Sequence, residues 1–68
     1  MAIEINIGEN IKRYRAKLGL SQEDFAKISD VKYTTLTKIE SNVIKKPSVF
    51  IMEKLAKTLG VSIEDLIK

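Results

Sequence analysis

Tyr33, Thr34, Thr37, Lys38 and Ser41 recur at intervals of three and four residues, which on a helix puts them on one face, with Leu36, Ile39 and Glu40 on the other. The polar face offers a flat ring with a hydroxyl, threonine hydroxyls with their methyls, and an ammonium group. Such groups suit the base edges of a major groove, where methyls meet thymine methyls and donors meet guanine acceptors. A solvated surface helix is the plainer reading. Against it, Thr34, Thr35 and Thr37 are poor helix formers, and an exposed helix under no functional demand more readily uses Glu, Lys, Gln or Ala. Tyr33, Thr34, Thr37 and Lys38 are therefore the candidate base-contacting residues.

Four other helices are needed to hold that face in place. Ile7, Ile11, Tyr14 and Leu18 repeat at helical spacing and predict a first helix over 7–18, with Asn6 and Glu9 as a capping box and Gly19 as its end. Ser21 and Asp24 imitate a second box, and a helix runs from Gln22 through Phe25, Ala26 and Ile28 to Ser29. After the break 29–32 the apolar spacing resumes at Leu36 and Ile39, giving the third helix over 33–41. Residues 42–47 read as loop, because asparagine suits a left-handed helix end and Pro47 forbids continuation. Ser48 caps a fourth helix with Met52, Leu55, Ala56 and Leu59 as its buried stripe, ending at Gly60 with Val61 as the apolar contact of a Schellman motif. Ser62 and Asp65 repeat the capping pattern over 63–67. The expectation is an all-α domain of five short helices over 7–68, preceded by an N-terminal arm over 1–6. The alternation Ile3, Ile5, Ile7 reads as a frayed terminus or a short strand pairing with a second copy, and is assigned no function.

Composition narrows the chemistry. The 68 residues suffice for one domain, which at this size buries roughly 60% of the surface the unfolded chain exposes. There is no Cys and no His, so disulfides, thiolate or imidazole metal sites and nucleophile-plus-imidazole pairs are excluded. No metal, cofactor or small-molecule ligand is expected. The carboxylate pairs Glu23–Asp24 and Glu64–Asp65 fall in first turns, where they meet the helix dipole, and read as caps rather than as an acid–base pair. The longest apolar run is Val49–Met52, so no signal peptide or membrane span is expected, and a cysteine-free chain fits the cytoplasm. Net charge is +3, but between Lys12 and Lys46 nine basic side chains face four carboxylates, leaving that stretch at +5 and the remainder at −2. With a pI near 9.3, a polyanionic partner fits this distribution.

SQEDFAKISDVKYTTLTKIES packs two helices around a turn of about four residues, with Ala26 at the close contact, Val31 under the turn, and Leu36 and Ile39 anchoring the second helix. Together with LGLSQEDFA, VKYTTLTKIE, and KKPS leading to LAKTLGVSIEDL, it resembles the Cro and phage-repressor family of helix-turn-helix domains, also called the xenobiotic-response-element family, over about Ile7–Ile67. The resemblance implies a lambda-repressor-like fold and a sequence-specific, repressor-like regulator reading double-stranded DNA. It implies phosphate contacts by Gln22, which opens the second helix, and by Asn42, Lys45 and Lys46 in the loop after the reading helix; Lys32 and Lys27 are weaker candidates. It also implies a partly buried ion pair between Arg15 and Glu40. Two departures stand out. Asp30 occupies a turn position where the family has glycine, and Lys32 a cap position where it has Ser or Thr, so the turn is expected to be looser or longer by about one residue. Phe50 and Ile51 open the fourth helix where the family is more often polar. With Val49, Ile63 and Ile67 they form extra core, a lone surface aromatic, or a homodimer patch. The alternative function is a protein-interaction module, such as an antitoxin component with autoregulatory DNA binding. Such proteins usually carry an extra segment to cover the toxin, and none is expected here beyond the few N-terminal residues.

Overall fold

The computed structural model describes residues 6–68, in which five helices succeed one another: α1 (Ile7–Lys17), α2 (Gln22–Ser29), α3 (Tyr33–Glu40), α4 (Val49–Leu59) and α5 (Ile63–Leu66). Met1–Ile5, which hold most of the expected arm and of the Ile3/Ile5/Ile7 alternation, lie outside the described residues; Ile7 itself opens α1. None of these helices is long and apolar enough to cross a membrane.

Local chemistry sets the helix starts. The side chains of Asn6, Ser21, Ser48 and Ser62 each accept the amide N–H three residues on, at 3.1–3.3 Å. At Ser62 the bond is reciprocated, because the Asp65 carboxylate accepts from the Ser62 amide at 3.1 Å; Asn6 and Ser21 form only the first half of their expected boxes. These bonds to Ser62, with help from Lys68, hold the Asp65 carboxyl below its ordinary value of 3.8.

The helix ends share one device. Gly19, Asp30, Asn42 and Gly60 are left-handed, with φ of 70°, 60°, 66° and 72°. At each, the residue's amide bonds back three residues and the next amide bonds back five, the double bond of a Schellman motif. Leu20, Val31 and Val61, which follow three of these residues, pack on the core; Val43, which follows the fourth, is 70% exposed.

Every helix contributes to one core. Ile11, Phe25, Leu36, Ile39, Leu55 and Leu66 are fully buried, each worth roughly 1.5–3 kcal/mol relative to exposure. α3 packs against α1 and α2, α4 against α2, and α5 closes on α4 and α1. Asn10 fastens this last contact by donating to the carbonyls of Leu66 and Lys68 at 2.8 and 2.9 Å. The start of α1 lies so close to the end of α3 that a Cβ on Gly8 would collide with the Ile39 carbonyl and sit 2.9 Å from Asn42 Oδ1. Only a residue without a side chain fits there.

Four details differ from the expected elements, the first being that α5 stops at Leu66 with Ile67 as its terminal residue. α1 stops one residue early, at Lys17, and Leu18 is 52% exposed rather than part of the inner stripe. α3 stops at Glu40, with Ser41 as its terminal residue. Ile28 is 61% exposed, because the inward positions of α2 are Phe25, Ala26 and Ser29; the Ser29 hydroxyl is buried and satisfied by the Ala26 carbonyl at 3.3 Å.

Candidate nucleic-acid interface

The outer side of α3 carries exposed Tyr33, Thr34 and Lys38, and half-buried Thr37. Leu36, Ile39 and Glu40 anchor the opposite side in the interior. Thr37 is constrained: its hydroxyl donates to the Thr34 carbonyl at 2.9 Å, which leaves its lone pairs and methyl for an external contact but not its proton. Ser41 likewise spends its hydroxyl proton on the Lys38 carbonyl at 3.3 Å.

Behind that face lies a polar cluster that ties three segments together. Arg15 from α1 grips Glu40 at the end of α3 with a bidentate pair, Nε to Oε2 at 2.8 Å and Nη2 to Oε1 at 2.9 Å. Its remaining nitrogen, Nη1, donates to the Leu20 carbonyl at 2.8 Å, just ahead of α2. Gln22, the first residue of α2, donates from Nε2 to Glu40 Oε1 at 3.0 Å. The Glu40 side chain is 2% exposed and that of Arg15 15%, so the pair is shielded from water and salt. No buried side-chain polar atom among the described residues lacks a partner.

The rim is basic. Lys32 precedes α3, Lys45 and Lys46 lie in the loop after it, and all three are exposed. Among the described residues none of these three lysines takes part in an ion pair. Asn42 is exposed but its Oδ1 turns toward Gly8 at the start of α1. Among the described residues no group of His, Cys, Asp or Glu has the arrangement of a metal site.

The model of the Cro/C1-type helix-turn-helix family matches residues 11–66. The chain belongs to that family. It is 36% identical over 61 residues to the HTH-type transcriptional regulator SinR of Bacillus subtilis (strain 168), a match that covers 90% of this chain and 55% of SinR. The chain thus spans about half the length of the curated relatives it matches. A crystal structure of SinR, the master regulator for biofilm formation, in complex with DNA superposes with a TM-score of 0.89 at 35% identity, covering 91% of this chain and 98% of that one. The restriction-modification controller protein C.AhdI of Aeromonas hydrophila gives a TM-score of 0.84 at 26% identity, over 91% and 92% of the two chains.

Within the Cro/C1-type frame, the two departures in the turn resolve differently. Asp30 adopts the left-handed conformation that glycine would take, Val31 plugs the interior at 8% exposure, and α3 still begins at Tyr33, so no residue is added. Lys32 sits at the N-cap of α3 and supplies no side-chain hydrogen bond, as its chemistry dictates. The apolar group at the start of α4 splits. Ile51 and Ile63 are half-buried against the core, whereas Val49, Phe50 and Ile67 are 70%, 80% and 39% exposed. Sequence reasoning missed Gly8 and the Gln22–Glu40 bond. A glycine in the first turn of an otherwise regular helix was the available signal for the former; nothing local announces the latter.

Proposed function

We propose that this Cro/C1-type domain binds duplex DNA sequence-specifically and is the DNA-reading part of a repressor-like transcriptional regulator, with α3 lying in the major groove. The observation that carries the reading is the exposed face of α3, held from behind by the Arg15–Glu40–Gln22 cluster and rimmed by exposed lysines. Tyr33, Thr34 and Lys38 supply base-edge donors, while Thr37 offers an acceptor and a methyl. Gln22, Lys32, Lys45 and Lys46 meet phosphates on either side and fix the register, as backbone contacts do. Gln22 is suited to this, since one amide proton is held by Glu40 and the other is free. Asn42 contributes by its backbone turn, which presents the two lysines that follow. The reading assigns the chain no reaction and places it in the cytoplasm with its DNA.

Selection from a randomised duplex library at near-physiological salt tests this, because non-specific affinity there is no better than about 10⁻⁴–10⁻⁶ M and only readout enriches a sequence. An enriched motif is the expected outcome. Random recovery with folded protein defeats it and favours an interaction module of the antitoxin kind, for which exposed Val49 and Phe50 are the specific support.

A further inference from the structure

Thr37 sits in the middle of the outer face of α3, one turn on from Tyr33 and Thr34 and next to Lys38. Its side chain is half-buried and is not free to turn, because Oγ1 donates to the Thr34 carbonyl at 2.9 Å. That bond fixes the torsion about Cα–Cβ, and with it the direction of the methyl. The backbone beneath is fixed as well: Leu36 and Ile39 are fully buried, and Glu40 is held by Arg15 and Gln22.

With its proton turned inward, Thr37 presents oxygen lone pairs, which only accept, and one methyl. Guanine suits neither, since its major-groove edge consists of the acceptors O6 and N7. Cytosine brings a donor at N4 but no methyl. Among the natural pairs only A·T brings both, the adenine N6 donor and the thymine C5 methyl. We propose that Thr37 selects an A·T pair in the DNA site, its oxygen accepting from adenine N6 and its methyl lying on the thymine methyl. The assignment rests on α3 being the major-groove helix and names the base pair that one of its residues requires. Lys38, an ammonium with donors and no acceptor, makes the opposite demand and suits guanine. The two adjacent residues thus impose different requirements on the same site.

Replacing each thymine of a selected duplex in turn by deoxyuridine removes the C5 methyl and leaves every hydrogen-bonding group in place. At one thymine the unaltered protein should bind about fourfold more weakly, the effect of a single methyl left uncovered. Thr37→Ser keeps the hydroxyl and its inward bond but lacks the methyl, so at that position it should bind the thymine and uracil duplexes equally. Thr37→Val keeps a methyl in the same branched shape but lacks the oxygen, so it should retain the ratio while binding both duplexes more weakly. Cooperative thermal melting of both variants establishes that they are folded. A selected sequence in which no thymine shows the uracil penalty, a penalty that persists in Thr37→Ser, or one that vanishes in Thr37→Val would overturn the proposal and leave the DNA reading standing. Enrichment of no sequence at all would overturn the DNA reading itself, and the proposal with it.

Discussion

At Glu40 one carboxylate, 2% exposed, accepts from three donors, two on Arg15 and one on Gln22. Arg15→Ala leaves it buried with a single neutral donor, an arrangement that costs about 3–5 kcal/mol because a stranded charge must be desolvated without compensation. A chain this short is stabilised by only about 3–10 kcal/mol in total, and each kcal/mol moves the melting temperature of such a domain by about 4–8 °C. Thermal unfolding of Arg15→Ala should therefore fall by more than about 10 °C; a change within error would mean that the pair behaves as a solvated one. The lysines call for a different readout. Lys38→Ala should cost about 1–3 kcal/mol of binding and relax preference at one base pair, whereas Lys46→Ala should weaken all sequences alike and reduce the salt slope by about one. Equal losses on selected and random duplexes would remove Lys38 from the reading face. Arg15 and Glu40 could be coupled from the sequence only through the family resemblance, since 25 residues separate them. The Gln22–Glu40 bond escaped notice for the same reason: the direction of that amide is decided by a third helix.

Helix boundaries were largely legible because caps act locally. Serine or asparagine at four of the five starts, and a left-handed glycine, aspartate or asparagine at four ends, are properties of a few consecutive residues. What the local signals could not give was facing. Ile28 joins the apolar pattern of α2 by type, yet the inward turn selects Ser29, since the contacts with α3 and α4 fix which side of α2 is covered. Leu18 and Ser41 were expected to be helical and instead form the turns that their left-handed neighbours impose. α3 is the exception among the starts, and the exception is informative. Lys32 stands where a serine or threonine would accept the Thr35 amide, so the reading helix begins without a side-chain cap. Lys32→Ser should supply that bond, worth about 1 kcal/mol, and raise the melting temperature by about 4–8 °C. In the proposed role the same change removes a phosphate contact and weakens binding to every duplex. Calorimetric melting and a binding titration on one preparation check both halves; a variant that binds as well as the original would remove Lys32 from the phosphate contacts.

Across the whole molecule charge is segregated, and this sets how it should meet a polyanion. The segment from Lys12 to Lys46, which includes α3 and its loop, carries +5 and the remainder −2, so in the proposed role that segment draws the domain toward DNA. In the proposed role Lys32, Lys45 and Lys46, all exposed, meet phosphates at the rim. Each phosphate neutralised releases counterions and contributes about −0.9 to the slope of log K against log salt, so three lysines on one half-site predict a slope of about −3. Binding of one chain to a duplex holding a single copy of the selected sequence, measured from about 50 to 200 mM salt, should give that value. Replacing all three lysines with alanine should flatten it toward zero while leaving preference among sequences intact, because the residues over the bases are untouched. A slope that persists in the triple variant would move the phosphate contacts to α1 and α2, whose Lys12, Arg13, Lys17 and Lys27 are the other exposed cations of the basic segment outside α3.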